Sequence, residues 1–179
     1  MQTIPSVRTE ALKGPVRRIL EDVNTGRGGL SNMLRVMAQS DNALDGYLYF
    51  ARTLEGSSLD PVLAEQIALT VAQVDRCEYS LAEHTERARN LGLQETDILA
   101  AREGRVANKK TEAALRFARA LARRNGEYDL AELRKQGYGD RQIVELVACV
   151  GLNIFANLFN GVARPDIDYK EVEMNVQLA

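Results

Sequence analysis

Histidine occurs once and cysteine twice in these 179 residues. With one imidazole, two distant thiols and no clustered carboxylate motif, the chain lacks a ligand set of the kind metal centres require, so neither a metal nor another cofactor is expected. Two cysteines far apart in sequence do not make a disulfide framework and suit a reducing cytoplasm. Neither sign of charge dominates: the formal balance is −2. That gives no electrostatic ground for binding nucleic acid or an anionic membrane. The opening stretch MQTIPSVRTEALKG lacks the apolar core of a secretory signal, and no apolar run reads as long enough to span a bilayer. Strand-like alternation is missing, and Arg27-Gly28-Gly29 is too short to signal a phosphate-cradling loop. What these absences leave is one all-α domain, in a chain long enough to bury a sizeable core.

The most informative stretch runs from Asp60 to Gly92 and holds the lone His84, one cysteine, Cys77, and a carboxylate, Glu65, set in an apolar run. Asp60-Pro61 reads as an N-cap followed by proline at the first helical position. Leu63, Ile67, Val71 and Val74 recur at helical spacing, and Asn90 and Gly92 close the far end. Two readings are open. An unbroken helix would put Glu65 and Cys77 about 18 Å apart along the axis and about 120° around it, too far to cooperate. A break near Asp75-Arg76 would fold the halves back on each other, bring Glu65 to the second half and leave Cys77 at a helix N-terminus, where the dipole favours thiolate. Cys77, Ser80 and His84 then share one helical face. Spacing pairs His84 with Ser80 first, because Cys77 lies about 10 Å of rise away.

Glu65, then Cys77-Glu-Tyr-Ser80, then His84, within LAEQIALTVAQVDRCEYSLAEHTERARNLGL, resembles the AhpD-like, carboxymuconolactone decarboxylase-like family. SNMLRVMAQSDNAL before it, and ALRFARAL and GYGDRQIVELVACVGLNIFANLFNGVA after it, resemble the rest of that family's helical core, over roughly residues 28 to 165. The resemblance implies an AhpD-like multi-helix bundle, thiol-dependent peroxidase chemistry at Cys77, and a proton relay through Glu65 and His84. It also implies a homo-oligomer, trimer or hexamer, a hydroperoxide or other small-molecule substrate, and a thiol reductant or disulfide-bearing protein as partner. One departure matters: the family motif has a second cysteine where this chain has Ser80. No Cys77–Ser80 disulfide can form, and a sulfenic acid on Cys77 would need an external thiol, another protein or Cys149 to resolve it.

The remaining chain reads as helices joined by short turns. Residues 1–27 are expected to be an arm and a helix beginning at Pro15, residues 28–165 the main domain, and residues 166–179 a tail that is loosely ordered or packed on a neighbouring subunit. Leu44, Leu48, Ala51 and Leu54 form one inward stripe. Ala114, Leu115, Ala118 and Leu121 form another. Ile143, Leu146, Val147, Val150, Ile154 and Leu158 form a third, on a last long helix from Asp140 to Arg164-Pro165. A faint repeat places Asp60, Glu65 and Ala68 in register with Asp140, Glu145 and Ala148, suggesting two related helical units.

Each candidate also has a structural reading. Cys77 can be an inert buried thiol, His84 a histidine held for packing, Glu65 a solvated carboxylate, Ser80 a small packing residue and Cys149 plain core. Asn153, Asn157 and Asn160 read as partners for buried polar groups. Besides the peroxidase reading, His84 and Glu65 alone could perform acid–base chemistry on a small carboxylated substrate, as in the decarboxylase branch. The site could also be vestigial in a non-enzymatic oligomer. A Ser80–His84–Glu65 hydrolase is remote, since no oxyanion-hole motif is recognisable.

Overall fold

The computed structural model describes residues 2–7, 30–126 and 128–175. The expected helix at Pro15 and the Arg27-Gly28-Gly29 turn lie outside the described residues. Eight helices and no strand occur among them: α1 (Asn32–Met37), α2 (Asp41–Glu55), α3 (Pro61–Asp75), α4 (Glu78–Asn90), α5 (Glu95–Glu103), α6 (Lys109–Arg123), α7 (Leu130–Lys135) and α8 (Asp140–Ala163).

The hub is α3. Asp60 Oδ1 accepts from the backbone N–H groups of Val62 and Leu63, so the helix starts with its first donors satisfied. Leu63, Ile67, Ala68, Leu69, Thr70, Val71 and Ala72 are all buried, on every face of the helix. It is enclosed by α4, α5, α6 and α8. Its one fully buried hydroxyl is satisfied, with Thr70 Oγ1 donating to the Ala101 carbonyl at 2.7 Å. A helix apolar all round belongs in a core, and Ile67→Ala there would cost about 2–5 kcal/mol.

α3 ends where the sequence suggested. Arg76 takes the left-handed conformation, φ 53°, and Cys77 N–H closes the turn on the Ala72 carbonyl. α4 starts one residue after Cys77 and packs back on α3. No such break interrupts α8, which runs on through the positions that the repeat sets against Arg76 and Cys77. The second unit is therefore a single long helix rather than another hairpin.

Two expectations for α8 are corrected. Val147 and Leu158 were assigned to the inward stripe but are exposed; the buried face is instead Ile143, Leu146, Cys149, Val150, Asn153, Ala156, Asn157, Asn160 and Ala163. Asparagine, which hydropathy patterning counts as outward, occupies part of the inner face and rotates the stripe. This helix is also long and apolar enough to cross a membrane by length and composition, contrary to the reading of the sequence, but one side of it packs in the core of the chain.

As far as Asn175, the tail packs on the helices of its own chain. The buried Arg102 guanidinium donates to Gln73 Oε1 and to the carbonyls of Glu173 and Met174. Val172 and Met174 pack against the main core. A buried guanidinium needs acceptors, and this tail supplies two of them. Nearer α8, Tyr79 Oη donates to Asp168 at 2.6 Å and accepts from Met33 N–H.

Candidate active site

The Arg76 break does to Glu65 what geometry required. α3 and α4 lie side by side, and His84 Nδ1 is 2.7 Å from Glu65 Oε2. Nδ1–H donating to the carboxylate leaves Nε2 as the nitrogen that can accept or deliver a proton elsewhere. The other oxygen of Glu65 lies 3.9 Å from Arg87, and Arg87 is tied in turn to the buried Glu83. Glu83, Arg87, Glu65 and His84 thus form one chain of charged and polar groups across α3 and α4. Glu83 and, second, Glu65 hold the Arg87 guanidinium well above its ordinary range. Arg87 was not singled out from the sequence. Its spacing of three from His84 was the available signal, since that spacing places both on one helical face.

Cys77 is the N-cap of α4. It is buried in a second apolar cluster with Met33, Met37, Leu44, Leu48 and Ala156. Its Sγ lies 3.3 Å from Ser80 Oγ. Ser80 Oγ also accepts from Asn160 Nδ2 of α8 at 3.2 Å. Ser80 is therefore bonded to Cys77 and Asn160, and the His84–Ser80 pairing that spacing suggested gives way to His84–Glu65. The three asparagines partner buried groups as read from the sequence. Asn160 meets Ser80, Asn157 donates to Asp75 at 2.8 Å, and Asn153 donates to the Cys149 carbonyl. Burial raises the Asp75 carboxyl above its ordinary range, against the lowering effects of the Asn157 bond and of Arg124.

A cavity of about 730 Å³ opens beside the Glu65–His84 pair. Its apolar wall includes Ala51, Leu54, Leu59, Pro61 and Ala64, with Tyr47 and Arg87 also contributing. The volume suits a small organic ligand. Cys149 lines the cavity and Cys77 does not. Burial, and then the Glu65 charge, push the Cys149 thiol up to about 12. It is a protonated thiol at neutral pH. The two cysteines belong to different apolar clusters, so nothing pairs them.

Residues 39–124 match the carboxymuconolactone decarboxylase family, a span that contains Glu65, Cys77, Ser80 and His84. No curated protein matches the chain. Among solved structures, the chain is similar to a peroxidase-related protein from Silicibacter sp. TM1040, with TM-score 0.78 and 20% identity over 94% of this chain and 97% of that one. A peroxidase-related protein with an alkylhydroperoxidase AhpD core, from Ralstonia eutropha JMP134, superposes with TM-score 0.81 and 17% identity, over 92% of each chain. The debrominase Bmp8, as a cysteine-to-alanine variant in complex with 2,3,4-tribromopyrrole, gives 0.79 and 18%, over 94% of this chain and 92% of that one. At these identities the likenesses establish the fold.

Proposed function

We propose that the chain, whose residues 39–124 match the carboxymuconolactone decarboxylase family, is an AhpD-like single-thiol oxidoreductase acting on hydroperoxides. The observation that carries the reading is the 2.7 Å contact of Glu65 with His84 at a cavity wall, on the same hairpin as a cysteine at a helix N-terminus. In this reading the Cys77 thiolate attacks the distal oxygen of a hydroperoxide. The O–O bond breaks, the sulfur becomes a sulfenic acid, and the alkoxide leaves as an alcohol after taking a proton. His84 Nε2 takes the Cys77 thiol proton and returns it to the alkoxide, while Glu65 orients the imidazole. Ser80 Oγ, fixed by Asn160, steadies the sulfur. Because Ser80 cannot form a disulfide, an external thiol condenses with the sulfenic acid to a mixed disulfide, with loss of water, and a second external thiol releases Cys77 as the external disulfide departs.

A second reading rests on a different observation. The cavity is lined by Glu65 and His84 and not by Cys77, which favours acid–base chemistry on a small organic substrate without a thiol. Intact mass after a hydrogen peroxide or cumene hydroperoxide pulse, with a sulfenic-acid trap, separates the two. Trapping at Cys77 that slows in His84→Ala supports the oxidoreductase. Oxidation of Cys77 no faster than that of a free thiol rejects it and leaves the acid–base reading.

A further inference from the structure

Asn153 of α8 lines the cavity that holds the Glu65–His84 pair. The side chain is buried, with 8% of the residue exposed. Its Nδ2 donates to the Cys149 carbonyl at 2.9 Å and lies 3.8 Å from Cys149 Sγ. A carbonyl can only accept, so this bond fixes which end of the amide is nitrogen. Oδ1 is the end left over, and no described residue donates to it. Asn160 Oδ1 also lacks a donor but is fully enclosed, whereas Asn153 Oδ1 keeps open surface. A buried amide thus holds one unused acceptor at the wall of the reactive cavity.

The other groups on that wall decide what can meet it. His84 Nε2 carries a lone pair while Nδ1–H donates to Glu65. Cys149 is a neutral thiol at neutral pH. Glu55 and Glu65 both line the cavity as carboxylates. Arg87 is the one lysine or arginine lining it among the described residues, and it is engaged by Glu83 and Glu65. A carboxylate ligand would therefore meet two carboxylates and no uncommitted cation. A ligand without a donor would strip water from Asn153 Oδ1 and give nothing back. A neutral molecule with an O–H group satisfies the oxygen, and Leu54, Leu59 and Ala64 offer apolar contact to the rest of it.

We propose that the cavity selects a neutral organic molecule carrying a hydroxyl donor on an apolar body, and that Asn153 Oδ1 is the acceptor that selects it. As a statement about substrate this rests on the Glu65–His84 cavity being the reactive site. The hydroperoxide that the protein handles is then one with a separate hydroxyl group, and not a fatty-acid hydroperoxide, whose carboxylate the wall repels. A site built to bond a hydroxyl discriminates well against the analogue that lacks it, because its own polar group is left unpaired.

The test is equilibrium dialysis of the full chain at pH 7.5 against three probes of similar shape: para-ethylphenol, its methyl ether para-ethylanisole, and para-ethylbenzoate. The first has the donor, the second lacks it and the third is an anion. The phenol should bind about fivefold to tenfold more tightly than the ether, as one hydrogen bond allows, and the benzoate more weakly than either. Asn153→Leu, similar in size but without the acceptor, should lower phenol binding to the level of the ether and leave the ether unchanged. Ala64→Phe, which fills the cavity, should abolish both. Equal binding of phenol and ether by the wild type overturns the proposal, whether or not the variants fold. So does a preference that survives Asn153→Leu, binding that persists in Ala64→Phe, or no binding of any probe at millimolar concentration. Tightest binding of the benzoate overturns it too and assigns the cavity to anions through Arg87. Oxidation of Cys77 plays no part in the measurement. A failed hydroperoxide reaction therefore leaves the phenol preference standing, and equal binding sinks the selection by Asn153 even where Cys77 oxidises as proposed.

Discussion

His84 Nδ1 and Glu65 Oε2 lie 2.7 Å apart, although nineteen residues and a helix break separate them in sequence. The contact fixes the imidazole tautomer. Nitrogen NMR of the wild type at neutral pH should show the proton on Nδ1, and Glu65→Gln should lose that preference. On the proposed chemistry, the same substitution should slow Cys77 oxidation by about tenfold to a hundredfold, toward the lower end of what a positioned acid or base contributes.

Arg87 should prove structural as well as local to the site. Removing it in Arg87→Ala leaves buried Glu83 without its cation and Glu65 without its second one. The expected cost is about 1–3 kcal/mol, the penalty for an unsatisfied buried acceptor. Glu83→Gln, which keeps an acceptor, should cost less. Urea unfolding of the two variants checks the order.

Cys149 gives a pH signature. Its thiol is raised to about 12 from an ordinary 9 by burial and by Glu65. Below pH 9 it is protonated in both folded and unfolded chains and costs nothing. Between about 9 and 12 the unfolded chain ionises and the folded one does not, so stability falls as pH rises through that window. Cys149→Ala should flatten this alkaline loss in thermal melts. Alkylation of native Cys149 should be slow at pH 7.5 despite its place on the cavity wall.

Ser80→Cys should restore a dithiol. Cys77 Sγ and Ser80 Oγ are 3.3 Å apart on one helical turn, so a sulfur at that position needs little movement to reach bonding distance. Mild oxidation of the variant should remove two hydrogens by intact mass, whereas the wild type should not lose them. The Asn160 amide would lose its hydroxyl partner, and a modest drop in melting temperature should follow.

Deleting residues 166–179 should destabilise the domain by about 3 kcal/mol or more. It strips Arg102 of two carbonyl acceptors and removes Val172 and Met174 from the core. Arg102→Met should recover part of the loss in the truncated chain, because an apolar side chain needs no acceptor. Chemical denaturation of the three proteins would show both effects.

The helices were legible because their caps and apolar periods are local facts. Asp60-Pro61, Gly104 and the Leu115–Ala118 stripe each state a boundary or a face within a few residues. The Arg76 break was legible only as one of two options, since a left-handed arginine has no strong sequence signature. Glu65 and His84 came together as expected once that option held. What could not be read was tertiary: that Arg102 would bury itself and recruit the tail, that Asn160 rather than His84 would satisfy Ser80, and that Val147 and Leu158 would face outward. Period alone names a stripe without saying which of two adjacent faces the core takes. The asparagines of α8 moved that choice by pairing with Asp75 and Ser80.

Glu65, Cys77, Ser80 and His84 lie within one continuous hairpin, α3–Arg76–α4. Closing it needs only a short loop, so its entropic cost is small compared with a site drawn from distant segments. The constellation should therefore assemble early, before α8 and the tail arrive to enclose it. Later elements then determine what reaches the site: α2 and α8 wall the cavity, and Asn160 locks Ser80. Changes in those helices can alter which molecule enters without dismantling the proton path.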